Sequence, residues 1–275
     1  MPPTATAGVL FRLIYAAYAW FVLLFVAIPV AVCFLLLPGL ERRRAVARWG
    51  AGTVFRMIGS PVRIRGEPLS AGDAAVVVSN HQSYLDGIIL TAVLPPQYTF
   101  LIKREMVQVP LAGFVLSRLG SEFVDRSDAS QRHRSARRLV QAAKERKALA
   151  VFPEGTFDAA PGLKPFHTGA FRAAWLGGVS IVPVVITGAR AKLPSDCWTP
   201  RPGPLWVEFC PRLATGDYPD PTALMRAARG AILDRLDEPD LDDGSLIDDG
   251  RTVDGGPIED GGPVEGETDP AEALD

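Results

Sequence analysis

Residues 76–87 read VVVSNHQSYLDG, and this stretch decides the fold. Three consecutive valines suit a strand covered on both faces. A polar turn follows them, and Asp86 stands at the start of the next apolar helical run. The same strand–turn–helix pattern recurs on either side. Val62–Arg65, Ala75–Ser79, Thr99–Lys103, Glu122–Val124, Leu149–Phe152, Val179–Ile186 and Leu205–Phe209 read as strands. Asp86–Val93, Leu111–Leu119, Ala129–Arg146, Thr168–Leu176 and Pro221–Leu236 read as helices. Such alternation predicts one layered α/β domain over residues 60–236, with connections too short for a second domain. Residues 190–204, rich in proline and polar side chains, read as a loop.

Residues 13–37 (LIYAAYAWFVLLFVAIPVAVCFLLL) are 25 residues without a charge. As a helix they reach across a hydrocarbon core of about 30 Å. They predict a membrane-associated segment over residues 8–59. This is either a single span or, broken or kinked at Pro29, a pair of helices dipping into one leaflet. Arg42, Arg43, Arg44 and Arg48 follow directly. By the positive-inside rule they place the carboxyl-terminal side in the cytoplasm. In residues 41–59, Val46, Trp49, Val54 and Met57 recur at helical spacing toward lipid or core, with the arginines toward headgroups. Tyr15, Tyr18 and Trp20 suit a membrane interface.

The net charge of −2 conceals a division. From Asp234 onward there are 16 acidic and 2 basic residues, net −14. The remainder has 15 acidic and 27 basic residues, net +12. A basic body suits anionic partners such as lipid headgroups or phosphorylated substrates. No nucleic-acid-binding module is recognisable, so nucleic acid is not expected as a partner. Residues 237–275, rich in Asp, Glu and Gly, read as a disordered acidic tail in which DGGPIE (254–259) is echoed by DGGPVE (260–265). Cys33, Cys197 and Cys210 form neither a zinc pattern nor an even disulfide framework.

The candidate chemistry sits just beyond the strands. His81 follows the valine strand, and Asp86 lies five residues on. A short loop between them lets the carboxylate meet one imidazole nitrogen, fixing the tautomer and leaving the other nitrogen to take a proton from a hydroxyl. Phe152–Thr156 (FPEGT) places Glu154 on a glycine-containing turn, either as a polar substrate contact or as a turn cap. Lys103 and Arg104 after one strand, and Arg126 after another, form either an anion site or solvated charges. His133 lies in a charged helical stretch. The sequence has no nucleophile elbow, phosphate loop or dinucleotide fingerprint, and no histidine pair with zinc spacing.

The ordered set NHQSYLD (80–86), FVDR (123–126), FPEGT (152–156) and IVPVVI (181–186) resembles the four blocks of the glycerolipid acyltransferase family. Its best-known members are the 1-acylglycerol-3-phosphate acyltransferases. Lys103-Arg104-Glu105 and PLAGFVLSRLG (110–120) resemble the stretch between the first two blocks. The resemblance covers residues 60–190. It implies a membrane-associated enzyme of phospholipid biosynthesis on an α/β domain. The enzyme would move a fatty acyl group from acyl-CoA or acyl carrier protein to a lysophospholipid hydroxyl, without cofactor or metal. It implies His81 as general base and Asp86 as its orienting partner. Asn80, Lys103, Arg126, Glu154, Gly155 and Thr156 are implied as substrate-binding residues, with Pro183 in a supporting strand.

Two positions depart from the pattern. The family often has arginine after FPEGT, where this chain has Phe157, and its usual F-K-x-G is here Phe166-His167-Thr168-Gly169. A basic phosphate ligand is thereby lost, which leaves open a different lysolipid or polar-lipid acceptor. Two further alternatives are an acyl hydrolase built on the same dyad and a non-catalytic membrane adaptor.

Overall fold

Valine runs occupy the middle of the sheet because every side chain there is covered. The computed structural model describes residues 5–109, 112–124 and 129–242. In chain order the helices are α1 (Ala5–Leu36), α2 (Leu40–Met57), α3 (Asp86–Val93), α4 (Ala112–Arg118), α5 (Ala129–Lys144), α6 (Gly169–Gly177), α7 (Ala189–Lys192) and α8 (Pro221–Leu233). The strands are β1 (Val62–Arg65), β2 (Val76–Ser79), β3 (Thr99–Lys103), β4 (Glu122–Val124), β5 (Leu149–Val151), β6 (Ile181–Thr187) and β7 (Leu205–Phe209). They form one seven-stranded sheet in the order β1-β7-β6-β2-β5-β3-β4. The five strands from β6 to β4 run parallel. β7 turns antiparallel to β6 and carries β1 parallel to itself at the edge.

Alternate residues of the central strands feed two cores. Val77, Ala150, Val182 and Val184 pack with α1, α2 and α3 on one face. Val76, Val78, Leu149 and Ile181 pack with α5, α6 and α8 on the other. The expected layered α/β fold is therefore present, with helices on both faces of a mixed sheet. Asp220 starts α8 by accepting the Ala223 N–H at 2.8 Å, with Pro221 in the first turn.

Several sequence expectations change. α1 continues through Pro29, and the chain turns only at Leu37–Gly39, where Gly39 takes φ 86°. A proline removes one main-chain bond, which a helix packed along one side tolerates. Residues 8–59 share a core with the sheet: Val22, Val26, Val54 and Phe55 are buried there. Arg44 and Arg48 turn inward instead of meeting headgroups. Arg44 donates to Leu119 O at 2.8 Å, Thr99 Oγ1 at 2.8 Å and Gln97 O at 3.0 Å, while Arg48 reaches the carbonyls that end α3. The loop expected at 190–204 begins inside α7. Residues 237–242, which composition assigns to the acidic tail, pack on the domain through Glu238, Asp240 and Leu241. The remainder of that tail lies outside the described residues.

Candidate active site

Parallel strands bring their carboxyl ends to one edge, which is where ligands of open α/β sheets are bound. His81 follows β2, Glu154 follows β5 and Lys103 ends β3 on that edge. His81 Nδ1 lies 2.8 Å from Asp86 Oδ2. The same oxygen accepts the backbone N–H of Gln82 at 2.6 Å and of Ser83 at 2.8 Å. Asp86 is completely buried in the first turn of α3, and main chain and imidazole together hold its Oδ2. With Nδ1 engaged, Nε2 is the nitrogen left for a substrate proton. The ring stacks on Phe152 at 4.3 Å and meets Phe157 at 4.3 Å. Its side chain keeps 19% of its exposure.

Glu154 reaches the dyad through the main chain. Its Oε1 accepts the His81 N–H at 2.6 Å and its Oε2 the Lys164 N–H at 2.9 Å. Glu154 is 4% exposed, and burial pushes its pKa up to about 7 against those two hydrogen bonds. Each oxygen thus accepts one protein N–H, which gives Glu154 the turn-capping role among its two readings. Gly155 makes the turn possible by adopting φ 69°, and its N–H returns to Phe152 O at 3.1 Å. Thr156 is exposed beside it.

Asn80 is tied to a neighbouring strand. Its Nδ2 donates to Ile186 O at 2.9 Å and its Oδ1 accepts the Ile186 N–H at 2.8 Å. It is fully buried and so braces the loop against β6. Lys103 is exposed, with its ammonium 3.7 Å from Glu105. It lies at the carboxyl end of β3, two strands from β2. Arg126 lies outside the described residues.

Composition and spacing missed an aromatic ladder. Phe157 meets the edge of Tyr84 at 4.9 Å, and Tyr84 stacks on Trp198 at 5.3 Å. Trp198 lies 6.3 Å from Trp20 of α1, whose indole N–H donates to Trp198 O at 2.8 Å. The ladder thus runs from the catalytic-type imidazole to the apolar helix. Phe157 announced itself as a departure from a basic position, but Trp198 sits in an aperiodic loop that carries no local signal.

The stretch that carries this histidine–carboxylate pair is similar to a known family: the family model described as Acyltransferase matches residues 61–187. Curated relatives include the 1-acyl-sn-glycerol-3-phosphate acyltransferase of Haemophilus influenzae, 30% identical over 155 residues, covering 56% of this chain and 64% of the relative. That of Saccharomyces cerevisiae is 33% identical over 153 residues, covering 53% and 50%. The chain thus spans between half and two thirds of the length of these relatives. The crystal structure of the 1-acyl-sn-glycerophosphate (LPA) acyltransferase from Thermotoga maritima superposes with a TM-score of 0.66 at 22% identity, covering 81% of this chain and 92% of that one. This last likeness concerns the fold.

Proposed function

We propose that this chain is an O-acyltransferase that moves a fatty acyl group from acyl-CoA or acyl carrier protein to a lysophospholipid hydroxyl, with 1-acyl-sn-glycerol-3-phosphate as acceptor and phosphatidic acid as product. The observation that carries the reading is the 2.8 Å contact between His81 Nδ1 and a carboxylate fixed by two backbone N–H groups. His81 Nε2 takes the acceptor's hydroxyl proton as its oxygen attacks the thioester carbonyl. The tetrahedral adduct collapses, the carbon–sulfur bond breaks, and the leaving thiolate takes the proton back from the imidazolium. Asp86 stabilises that transient cation. Ser83 donates to Leu193 O at 2.6 Å and is fully buried, so it is no acyl-carrying nucleophile. Transfer is direct.

A lipid substrate is supported by the aromatic ladder and by α1, the one described helix long and apolar enough to cross a membrane. Its outward face exposes Phe11, Ile14, Phe21, Phe25, Ile28 and Leu35. Near one end Tyr15 donates to Ile58 O at 3.0 Å. Past the other, Arg43 holds Leu37 O at 3.0 Å and Arg44 holds Leu119 O. A helix flanked by the body along its length favours embedding in one leaflet over crossing both. The cytoplasmic face is the proposed side for the domain, with Arg42 exposed beside the apolar helix toward anionic headgroups.

A second acceptor class is favoured by one observation. Phe157, on the His81 ring, occupies the place of a basic phosphate ligand, which suits a polar lipid without a phosphomonoester. The test is thiol release from acyl-CoA and from acyl carrier protein, across lysophosphatidic acid, lysophosphatidylcholine, a monoacylglycerol and water alone. Esterified product dependent on acceptor and on His81 supports transfer. Free fatty acid alone would make the chain a hydrolase, and no thiol release with any acceptor would leave an adaptor.

A further inference from the structure

Beyond the dyad, a carboxylate from the far end of the described chain is built into the site. Glu238 Oε1 accepts Gln82 Nε2 at 2.8 Å and Arg190 Nε at 2.9 Å. Its Oε2 accepts the Gly162 N–H at 2.8 Å and Arg190 Nη2 at 3.0 Å. Arg190 in turn donates to Asp158 O. Both members of this pair are only 13% exposed, so the interaction is little screened by solvent.

The segment around Glu238 is fastened on its own account. The Leu163 N–H donates to Pro239 O at 2.9 Å and the Leu241 N–H to Leu163 O at 3.0 Å. Arg229 donates to Asp240 Oδ2 at 2.9 Å and to Leu163 O at 3.0 Å. A Cβ on Gly162 would lie 2.4 Å from the Leu241 side chain, so the two strands of this clasp close tightly.

Two routes lead from Glu238 to His81. Through Gln82 it grips the residue whose own N–H binds Asp86 at 2.6 Å. Through Gly162 it holds the segment whose Lys164 N–H binds Glu154, and Glu154 holds the His81 N–H. We propose that Glu238 is a positioning residue for the reaction: its carboxylate joins the His81 loop to the 158–164 segment and sets the geometry of the dyad. The proposal rests on the reading of His81 as the base. The acidic composition that marks residues 237–242 as tail thus hides the clamp.

The experiment compares the full chain in detergent micelles with Glu238→Ala, Gln82→Leu and their double variant. Glu208→Gln, which breaks the surface pair with Arg235 away from the site, is the control. In Glu238→Ala, kcat falls about 10- to 100-fold through misplacement of the base, with the KM of donor and acceptor unchanged. The double variant loses no more than Glu238→Ala alone, because that change already cuts both routes, the Gln82 link among them. Glu208→Gln keeps the parent kcat. Independently of any assay, amide hydrogen exchange across residues 80–86 speeds up in Glu238→Ala while α8 keeps its protection. Unchanged exchange in that loop, a loss confined to KM, or additive losses would each overturn the proposal. Should the parent chain transfer no acyl group, the functional reading fails, and the exchange rates alone decide whether Glu238 positions the loop.

Discussion

Glu154 holds His81 by its backbone, accepting the His81 N–H at 2.6 Å while Asp86 holds the same residue by its ring at 2.8 Å. One carboxylate comes from the end of β5 and the other from the start of α3. A histidine gripped at both ends keeps its ring orientation without substrate. This is the preorganisation a proton transfer needs, since no binding energy is then spent on aligning the base.

His81→Ala lowers kcat by about 10²–10⁴-fold, the usual contribution of a positioned base. Asp86→Asn lowers it as well, because the amide offers no anion to the imidazolium and can select the wrong tautomer. Single-turnover thiol release gives the measurement. Flotation with liposomes is expected to be unchanged for His81→Ala, since its ring takes no part in packing α1. Full activity in His81→Ala would refute the mechanism.

The pH dependence of stability carries the signature of Glu154. Its pKa in the folded chain, about 7, lies above the ordinary 4.5. The folded state therefore binds the proton more tightly than the unfolded state. Its stabilising contribution is complete below about pH 4.5 and is lost as pH rises through 7. The whole swing is at most about 3 kcal/mol. Glu154→Gln is expected to lower stability at pH 5, where the amide sets an N–H₂ against one of two backbone donors, and to flatten the decline between pH 5 and 8. Thermal unfolding in detergent at both pH values reads it. An undiminished slope in the variant would exclude Glu154 as its source.

Phe157 is expected to govern the acceptor. Phe157→Arg places a guanidinium beside the imidazole and raises kcat/KM for a phosphomonoester acceptor relative to a neutral monoacylglycerol, by about tenfold for each 1.4 kcal/mol gained. The same variant loses the ring contacts with His81 and Tyr84 and is expected to transfer more slowly to neutral acceptors. Competition between the two acceptors in mixed micelles measures the ratio, and an unaltered ratio would remove Phe157 from acceptor choice.

Asn80→Ala leaves the Ile186 N–H and C=O without the partners they have in a fully buried setting. The cost is about 1–3 kcal/mol for each group left unpaired. A lower Tm accompanied by a fall in kcat is expected, since the brace holds the residue next to His81. A Tm equal to that of the parent chain would show that β6 does not need it.

Lys192 secures the apolar helix. Its ammonium is buried, donating to Ser60 Oγ at 2.6 Å, Arg201 O at 3.0 Å and Tyr15 Oη at 3.3 Å, and burial lowers its pKa to about 8. Because the folded pKa is depressed, the group's contribution is present above the ordinary 10.5 and is lost as pH falls through 8. Lys192→Met removes that titration but strands the Ser60 and Arg201 acceptors. Faster proteolysis between α1 and β1 is the expected result, measured by limited trypsin digestion in micelles.

Local chemistry determined much of this protein. Three valines running into a polar turn form a strand wherever both of its faces are covered, and Asp86 begins a helix because a short carboxylate suits a first turn. The loop between them is short enough that the His81–Asp86 contact could be expected from the residues alone, and the apolar run of α1 is equally plain in composition. What only the tertiary structure decided are the partners contributed by distant chain. Asn80 and Glu154 are polar residues in loops, and nothing local says that their oxygens face Ile186, 106 residues away, and the His81 main chain. Arg44 looks like a headgroup contact until the carbonyls of residues 97, 119 and 120 converge on it. Glu238 reads as the start of an acidic tail until Arg190 and Gln82 meet it. Hydrogen bonding is short-ranged and directional, so composition can supply the donors and acceptors, but only the packing of the sheet and its helices brings each to its partner.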